Sequence, residues 1–114
     1  EHNKMATAYK FAQVQGTAST GTFATLYTTP ASTEAVVSSL VITNQTGSAV
    51  TVRVGMDATA GTPSASEFLV YDAAVAGNDT VALTLGITMD AAKFIRVSSS
   101  AATCNFTAFL SEIS

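Results

Sequence analysis

Charge is the first thing this sequence lacks. Of 114 residues, five are Lys or Arg and eight are Asp or Glu, giving a net charge of −3. Charged residues make up 11% of the chain, where a soluble domain commonly devotes about a quarter. The basic residues Lys4, Lys10, Arg53, Lys93 and Arg96 are scattered. Nucleic-acid binding needs them clustered against phosphates, so no nucleic-acid partner is expected. A single cysteine, Cys104, excludes an intrachain disulfide and a Cys-based zinc cluster. A single histidine, His2, would force any catalytic triad or His-ligated metal onto a terminal segment. Long hydrophobic runs are missing too. The longest are four residues, such as FLVY at 68–71, against roughly 20 for a membrane helix. The opening EHNKMATAYK has neither the basic start nor the apolar stretch of a signal peptide. Met5 reads as an ordinary start codon product, with residues 1–4 ahead of it.

Motifs that carry chemistry are equally scarce. Neither G-x-x-x-x-G-K-[ST] nor G-x-G-x-x-G occurs, and the glycines sit singly in turns. No D-x-[DN]-x-[DN]-G calcium loop is present. The carboxylates Glu34, Asp57, Glu67, Asp72, Asp79 and Asp90 come one per loop or strand end. Asp72 follows an apolar run and is the candidate for a buried acid paired with Arg53 or Arg96. Cys104 opens a strand beside Phe106 and reads as a small buried hydrophobe. Three N-x-T triplets, at Asn44, Asn78 and Asn105, read as coincidence in so Thr-rich a chain. Catalytic, cofactor-binding and metal-ligating residues are therefore expected to be none. The chain is expected not to be an enzyme and to need no cofactor.

Small uncharged residues fill the chain instead. It has 18 Thr, 12 Ser and 20 Ala, and 47% of it is hydrophobic, enough for a packed core. The periodicity is two almost throughout. Val50, Val52, Val54 and Met56 alternate with Thr51, Arg53 and Gly55. Cys104, Phe106, Ala108 and Leu110 alternate with Asn105, Thr107, Phe109 and Ser111. Strands are expected at about 7–14, 22–29, 34–44, 49–56, 67–74, 79–85, 92–98 and 104–112, with turn residues between them. The expected fold is all-β: a single antiparallel sandwich or small jelly roll of about eight strands over 7–114, behind a flexible segment 1–6. Short helical turns are expected within 57–66 and at 88–92, the latter capped by Thr88 with Asp90 near its positive end. The stretches 35–42 and 68–71 carry apolar groups on both faces. Such a strand is either central with a loop over its outer side or part of a subunit interface. The first strand, separated from the rest by the flexible GTASTG at 16–21, pairs by default in its own sheet, although it could complete a neighbour's. Among the aromatics, Tyr9, Tyr27 and Tyr71 are candidates for exposed rings, with core or interface packing as the commoner role.

Two segments together carry a resemblance: LYTTPASTEAVVSSLVITN at 26–44 and NDTVALTLGITM at 78–89, with MATAYK at 5–10 and Ser111, Glu112 and Ile113 near the close. They resemble small virion structural proteins of tailed bacteriophages, notably phages of marine bacteria and cyanobacteria. The shared patterns are L-Y-x-x-P-A-x-x-x-A-V-V-S and, later, N-D-T-x-x-L-T-x-G-I-T. The resemblance implies a non-enzymatic virion protein: a capsid decoration or cement protein, or a neck, tail or fibre component. It implies partners among copies of itself (a trimer is the first expectation) and the major capsid or neck and tail proteins. The expected assembly residues are Tyr9, Phe11 and Val14 of the first strand, and Thr59, Gly61, Pro63 and Ser66 of the long loop 59–66. Two other roles fit the composition: an extracellular filament subunit with a donated first strand, and a carbohydrate-binding or adhesion module.

Overall fold

A computed structural model describes residues 6–114, so His2, Lys4 and the start at Met5 lie outside the described residues. Eight strands form: β1 (Thr7–Gln15), β2 (Ser19–Thr28), β3 (Glu34–Asn44), β4 (Val50–Asp57), β5 (Phe68–Val75), β6 (Thr80–Met89), β7 (Phe94–Ser99) and β8 (Cys104–Ile113). They make two four-stranded sheets, ordered β1-β8-β3-β6 and β2-β7-β4-β5. Every pairing is antiparallel. The molecule is the expected sandwich of eight strands.

Alternation builds the core. In β8 the even residues Cys104, Phe106, Ala108 and Leu110 are all buried. They meet Val50, Val52 and Val54 of β4 and Ile95 and Val97 of β7 in one cluster shared by both sheets. In β6, Val81, Leu83, Leu85 and Ile87 turn toward that cluster. The doubly apolar stretch 35–42 is explained by a bulge. The register of β3 slips between Val37 and Ser39, and the extra residue switches which parity faces inward. Ala35 and Val37 point in before the slip, and Leu40, Ile42 and Asn44 after it. Val36 and Val41 are left on the outer side. The strand is central, but no loop among the described residues lies over its outer side. The other doubly apolar stretch, 68–71, lies on β5, an edge strand whose Leu69 and Tyr71 are exposed.

Three local expectations need correction. The segment after β1 is bolted down rather than flexible. Gly16 N–H donates to Cys104 O at 2.6 Å, and Thr17 and Ser99 exchange backbone-to-side-chain bonds, each at 3.1 Å. Ala6 is likewise no loose end, because Ser114 N–H donates to its carbonyl at 3.0 Å. The helical turn expected at 88–92 does not form. Thr88 and Met89 stay in β6, paired with Val36 and Ala35, because the buried Met89 side chain keeps the ladder going. At the other expected place, 57–66, a 3-10 turn forms only at the far end and runs past it, over Ala65–Glu67. The first strand stays at home: β1 pairs with β8 from Thr7↔Ile113 to Gln15↔Asn105.

One buried polar side chain fastens an end of the sandwich. Asn44 is 1% exposed. Its Nδ2 donates to the carbonyls of Ser48, Val75 and Ala76 at 2.8–3.1 Å, and its Oδ1 accepts from Thr46 N–H and Thr46 Oγ1. It thereby ties the β3–β4 turn to the end of β5, and its amide is inaccessible to a glycan. Asn44→Asp would set a carboxylate oxygen against three carbonyl oxygens. The expected cost is at least about 2 kcal/mol, read as a lower urea midpoint with an unchanged slope; a midpoint equal to wild type would contradict this role.

Candidate functional site

Both sheets bury their inner faces against each other, so any site lies on an outer face or at an end. The outer face of the second sheet is closed by the chain itself. The register of β2 on β7 jumps from Ser19↔Ser99 to Ala24↔Val97, freeing the segment between to fold across the sheet. Two arginines gather it in. Arg53 Nη1 donates to Thr20 O at 3.2 Å, and Arg96 Nη2 to Phe23 O at 3.2 Å. Arg96 also donates through Nη1 to Thr25 Oγ1 at 2.7 Å and through Nε to Gly61 O at 2.9 Å. That last bond seats the long loop on the sheet. Asp57 shapes the loop from within, accepting from the N–H groups of Thr59 and Gly61 at 3.3 and 2.9 Å. Pro63 is buried over Gly55, where a Cβ would come within 2.6 Å of the proline ring. Of the loop residues expected in assembly, Gly61 and Pro63 are thus turned onto the molecule's own sheet, while Thr59 and Ser66 remain exposed.

An aromatic corner finishes this face. Phe68 packs against Phe23 at 5.9 Å and edge-on to Tyr71 at 4.9 Å between ring centroids. The Arg53 guanidinium lies 4.2 Å over the Tyr71 ring and bonds Asp72 Oδ1 through Nε at 2.6 Å. The expected pairing of Asp72 with Arg53 is present, but its burial is not. Asp72 sits at φ 55° in a bulge where Tyr71 and Asp72 together face Arg53, and this turns the carboxylate out to solvent. The hydrogen bond from Arg53 holds that carboxyl below its usual range. The guanidinium covers one face of the Tyr71 ring, which is still 59% exposed, as expected of that residue.

The outer face of the first sheet is different. Its register aligns outward residues in rows across four strands. One row runs Tyr9, Ser111, Val36, Thr88. Another joins Phe11 and Phe109 to the Ser38–Ser39 bulge. A third runs Gln13, Thr107, Val41, Ala82. No charged side chain lies in these rows; Glu34 stands at the end, beside Ile113. Tyr9, Phe11 and Phe109 are 87%, 64% and 44% exposed. A shallow groove of about 310 Å³ is lined by Tyr9, Lys10, Val36, Ser38, Phe109, Leu110 and Ser111; Lys10, its one charged member, is paired with Glu112. Of the expected residues on β1, Tyr9 and Phe11 project here, while Val14 has the opposite parity and packs against the core. The reading by residue type missed Phe109 as an exposed ring. Strand parity marks it, since Phe109 is out of phase with buried Phe106 and Leu110.

The buried acid of this protein is Glu112, not Asp72. Glu112 is 8% exposed and continues the inward series of Phe106, Ala108 and Leu110, which is the signal that could have found it. It accepts a 2.5 Å hydrogen bond from Tyr27 Oη of the second sheet and pairs at 2.9 Å with Lys10 Nζ of β1. Tyr27 is correspondingly buried rather than an exposed ring. Hydrogen bonds from Tyr27 and Lys10 pull the Glu112 carboxyl below its ordinary range against the opposing effect of burial. Burial and the Glu112 hydrogen bond push the Tyr27 hydroxyl well above its ordinary range. Cys104 is fully buried, and burial raises its thiol. Among the described residues, no group of three or more His, Cys, Asp or Glu is placed to hold a metal.

No family model and no curated protein sequence matches this chain. Solved structures do match in fold. A chain of the T13 viral particle of infectious bursal disease virus matches 94% of this chain at a TM-score of 0.58 and 7% identity. A chain of the Gx strain of the same virus matches 94% at 0.57 and 9% identity. This chain spans 31% and 32% of the length of those two. A chain of the Bacillus endospore appendages, described as disulfide-linked pili, matches 95% at a TM-score of 0.49 and 16% identity, and 84% of that chain is covered. The sandwich is thus a fold found in an icosahedral virus particle.

Two pairs of variants check the geometry. Glu112 is depressed in the folded state, so its stabilisation is full above the ordinary carboxylate range and is lost as pH falls through the folded value. Glu112→Gln should flatten the acid limb of a stability–pH curve; an unchanged limb would contradict the assignment. Tyr27 is raised, so its contribution holds below the ordinary phenol range and fades only at higher pH. Tyr27→Phe should cost about 1–3 kcal/mol at neutral pH. On the covered sheet, Gly55→Ala must displace Pro63 and is expected to cost about 1–3 kcal/mol. Limited proteolysis should then cut within 58–64 faster than in wild type, whereas Gly47→Ala, with nothing within 4 Å of its added Cβ, should leave cleavage unchanged.

Proposed function

We propose that this chain is a non-enzymatic structural protein of a tailed-bacteriophage particle. It serves as a capsid decoration or cement protein, or as a neck or tail component, and acts by oligomerising and packing onto the particle. The observation that carries this reading is the open outer face of the first sheet, which is free of charge across its central rows and bears Tyr9, Phe11 and Phe109 at the surface. Contiguous exposed apolar surface on a folded domain marks a place where something else packs. The short Ala, Ser, Thr and Val side chains around it lose little conformational freedom when covered. The fold shared with chains of an icosahedral virus particle supports the reading, as does the resemblance of 26–44 and 78–89 to phage virion proteins.

The mechanism is mechanical. Each copy adds modest contacts to its neighbours, and many copies on one lattice multiply them into firm attachment. The residues exposed for such contacts are Tyr9 and Phe11 on β1, with Thr59 and Ser66 on the loop side of the molecule. The expected location is the particle itself. Peptide mass spectrometry of gradient-purified phage particles carrying this gene tests the reading. The chain should co-band with infectious particles at a copy number in simple proportion to the major capsid or neck protein. Its presence in infected lysate but absence from purified particles would contradict the reading.

A further inference from the structure

We infer that the outer face of the first sheet is where a second copy of this chain packs, face to face across a two-fold axis. The inference rests on the assembly reading and adds the partner and the geometry. Three observations select a second copy over some other occupant.

The first is charge. The chain carries −3 overall, yet the rows from Tyr9 to Val41 carry none of it. Lys10, the one charged side chain that lines the groove, is already paired with Glu112 of its own chain, so two identical copies can meet on this face without opposing unpaired like charges. Glu34 falls at one end of the sheet, where it stays at the wet rim. The second is shape. The face holds both a knob and a hollow. Phe11 stands 64% exposed, and the groove of about 310 Å³ begins beside it at its ladder partner Phe109 and runs to the Tyr9–Ser111 row. Knob and hollow on one surface are self-complementary: a two-fold axis between them seats each copy's Phe11 in the other's groove, as an isologous contact requires. The third is area. Four strands about 4.8 Å apart, each presenting roughly nine residues at about 3.3 Å, give a face of roughly 550 Å² per copy. Two such faces reach the total of about 1,000 Å² that a specific interface should clear.

The outer face of the second sheet lacks these properties. Its centre is occupied by the loop 58–64 and the segment 20–23, with Arg53 largely covered beneath them, and Asp72 lies exposed on the edge strand. A two-fold contact through the first sheet leaves that other side, with Thr59 and Ser66, turned outward from the pair. The arrangement departs from the trimer expected from the sequence.

Light scattering on the full chain across a dilution series tests the inference. Wild type should move from monomer to a discrete dimer. Phe11→Asp and Phe109→Ser should each weaken the dimer by about a hundredfold, the loss of a central aromatic anchor. Leu69→Asp, exposed on the opposite sheet, should leave it unchanged. Circular dichroism confirms that each variant is folded, and the wild-type series decides the matter even where a variant fails to fold. A wild-type monomer at every concentration, a trimer, or a dimer weakened equally by Leu69→Asp would each overturn the two-fold contact. Any of these would leave the virion reading standing if the chain still co-bands with particles.

Discussion

Two arginines decide which side of this molecule is available. Arg53 and Arg96 rise from the outer face of the second sheet and collect backbone carbonyls from two separate stretches, Thr20 and Phe23 on one side and Gly61 on the other. A guanidinium suits this task, because its fork of donors stays charged and can serve several acceptors at once. Together with Pro63 on Gly55, these bonds roof one sheet with the chain's own loops. A chain with only five basic residues spends two of them here. The first sheet receives no such roof among the described residues, and its centre stays bare and uncharged. The proposals about assembly all follow from this asymmetry.

The inner architecture shows the same economy in polar groups. Asn44 and Glu112 each extend an inward-facing series of apolar residues by one step, and each is satisfied by partners from other strands. Buried polar groups are tolerated only when bonded. These two therefore act as latches at the ends of an apolar core. Glu112 joins the two sheets through Tyr27 and holds the edge strand β1 through Lys10. This contact helps keep the first strand in its own sheet.

Much of the fold was legible because alternation is a strong signal. Residues 50–56 and 104–111 announce their strands, and β3 spans 34–44 as read. Register was less legible. The bulges at Ser38–Ser39 and at Tyr71–Asp72 insert single residues that reverse which side chains face inward, and nothing in the local composition marks them. For this reason Asp72 was expected to be buried; Val14 was grouped with Tyr9 and Phe11 although simple parity on the unbulged β1 turns it inward. The loop 59–66 was read as free for assembly because its anchor Arg96 lies far away in sequence and nothing in the composition shows that Pro63 folds back onto Gly55. Phe109 and Glu112 were legible in principle, as the out-of-phase and in-phase members of one alternating strand.

In the proposed assembly one sheet face is covered by a neighbour and the other by the chain itself. Hydroxyl-radical footprinting of the wild-type protein, read residue by residue at low and high concentration, measures this directly. Tyr9, Phe11 and Phe109 should become protected together as concentration rises, while Tyr71 stays reactive throughout. Equal reactivity of all four rings at every concentration, or protection of Tyr71 alone, would contradict it.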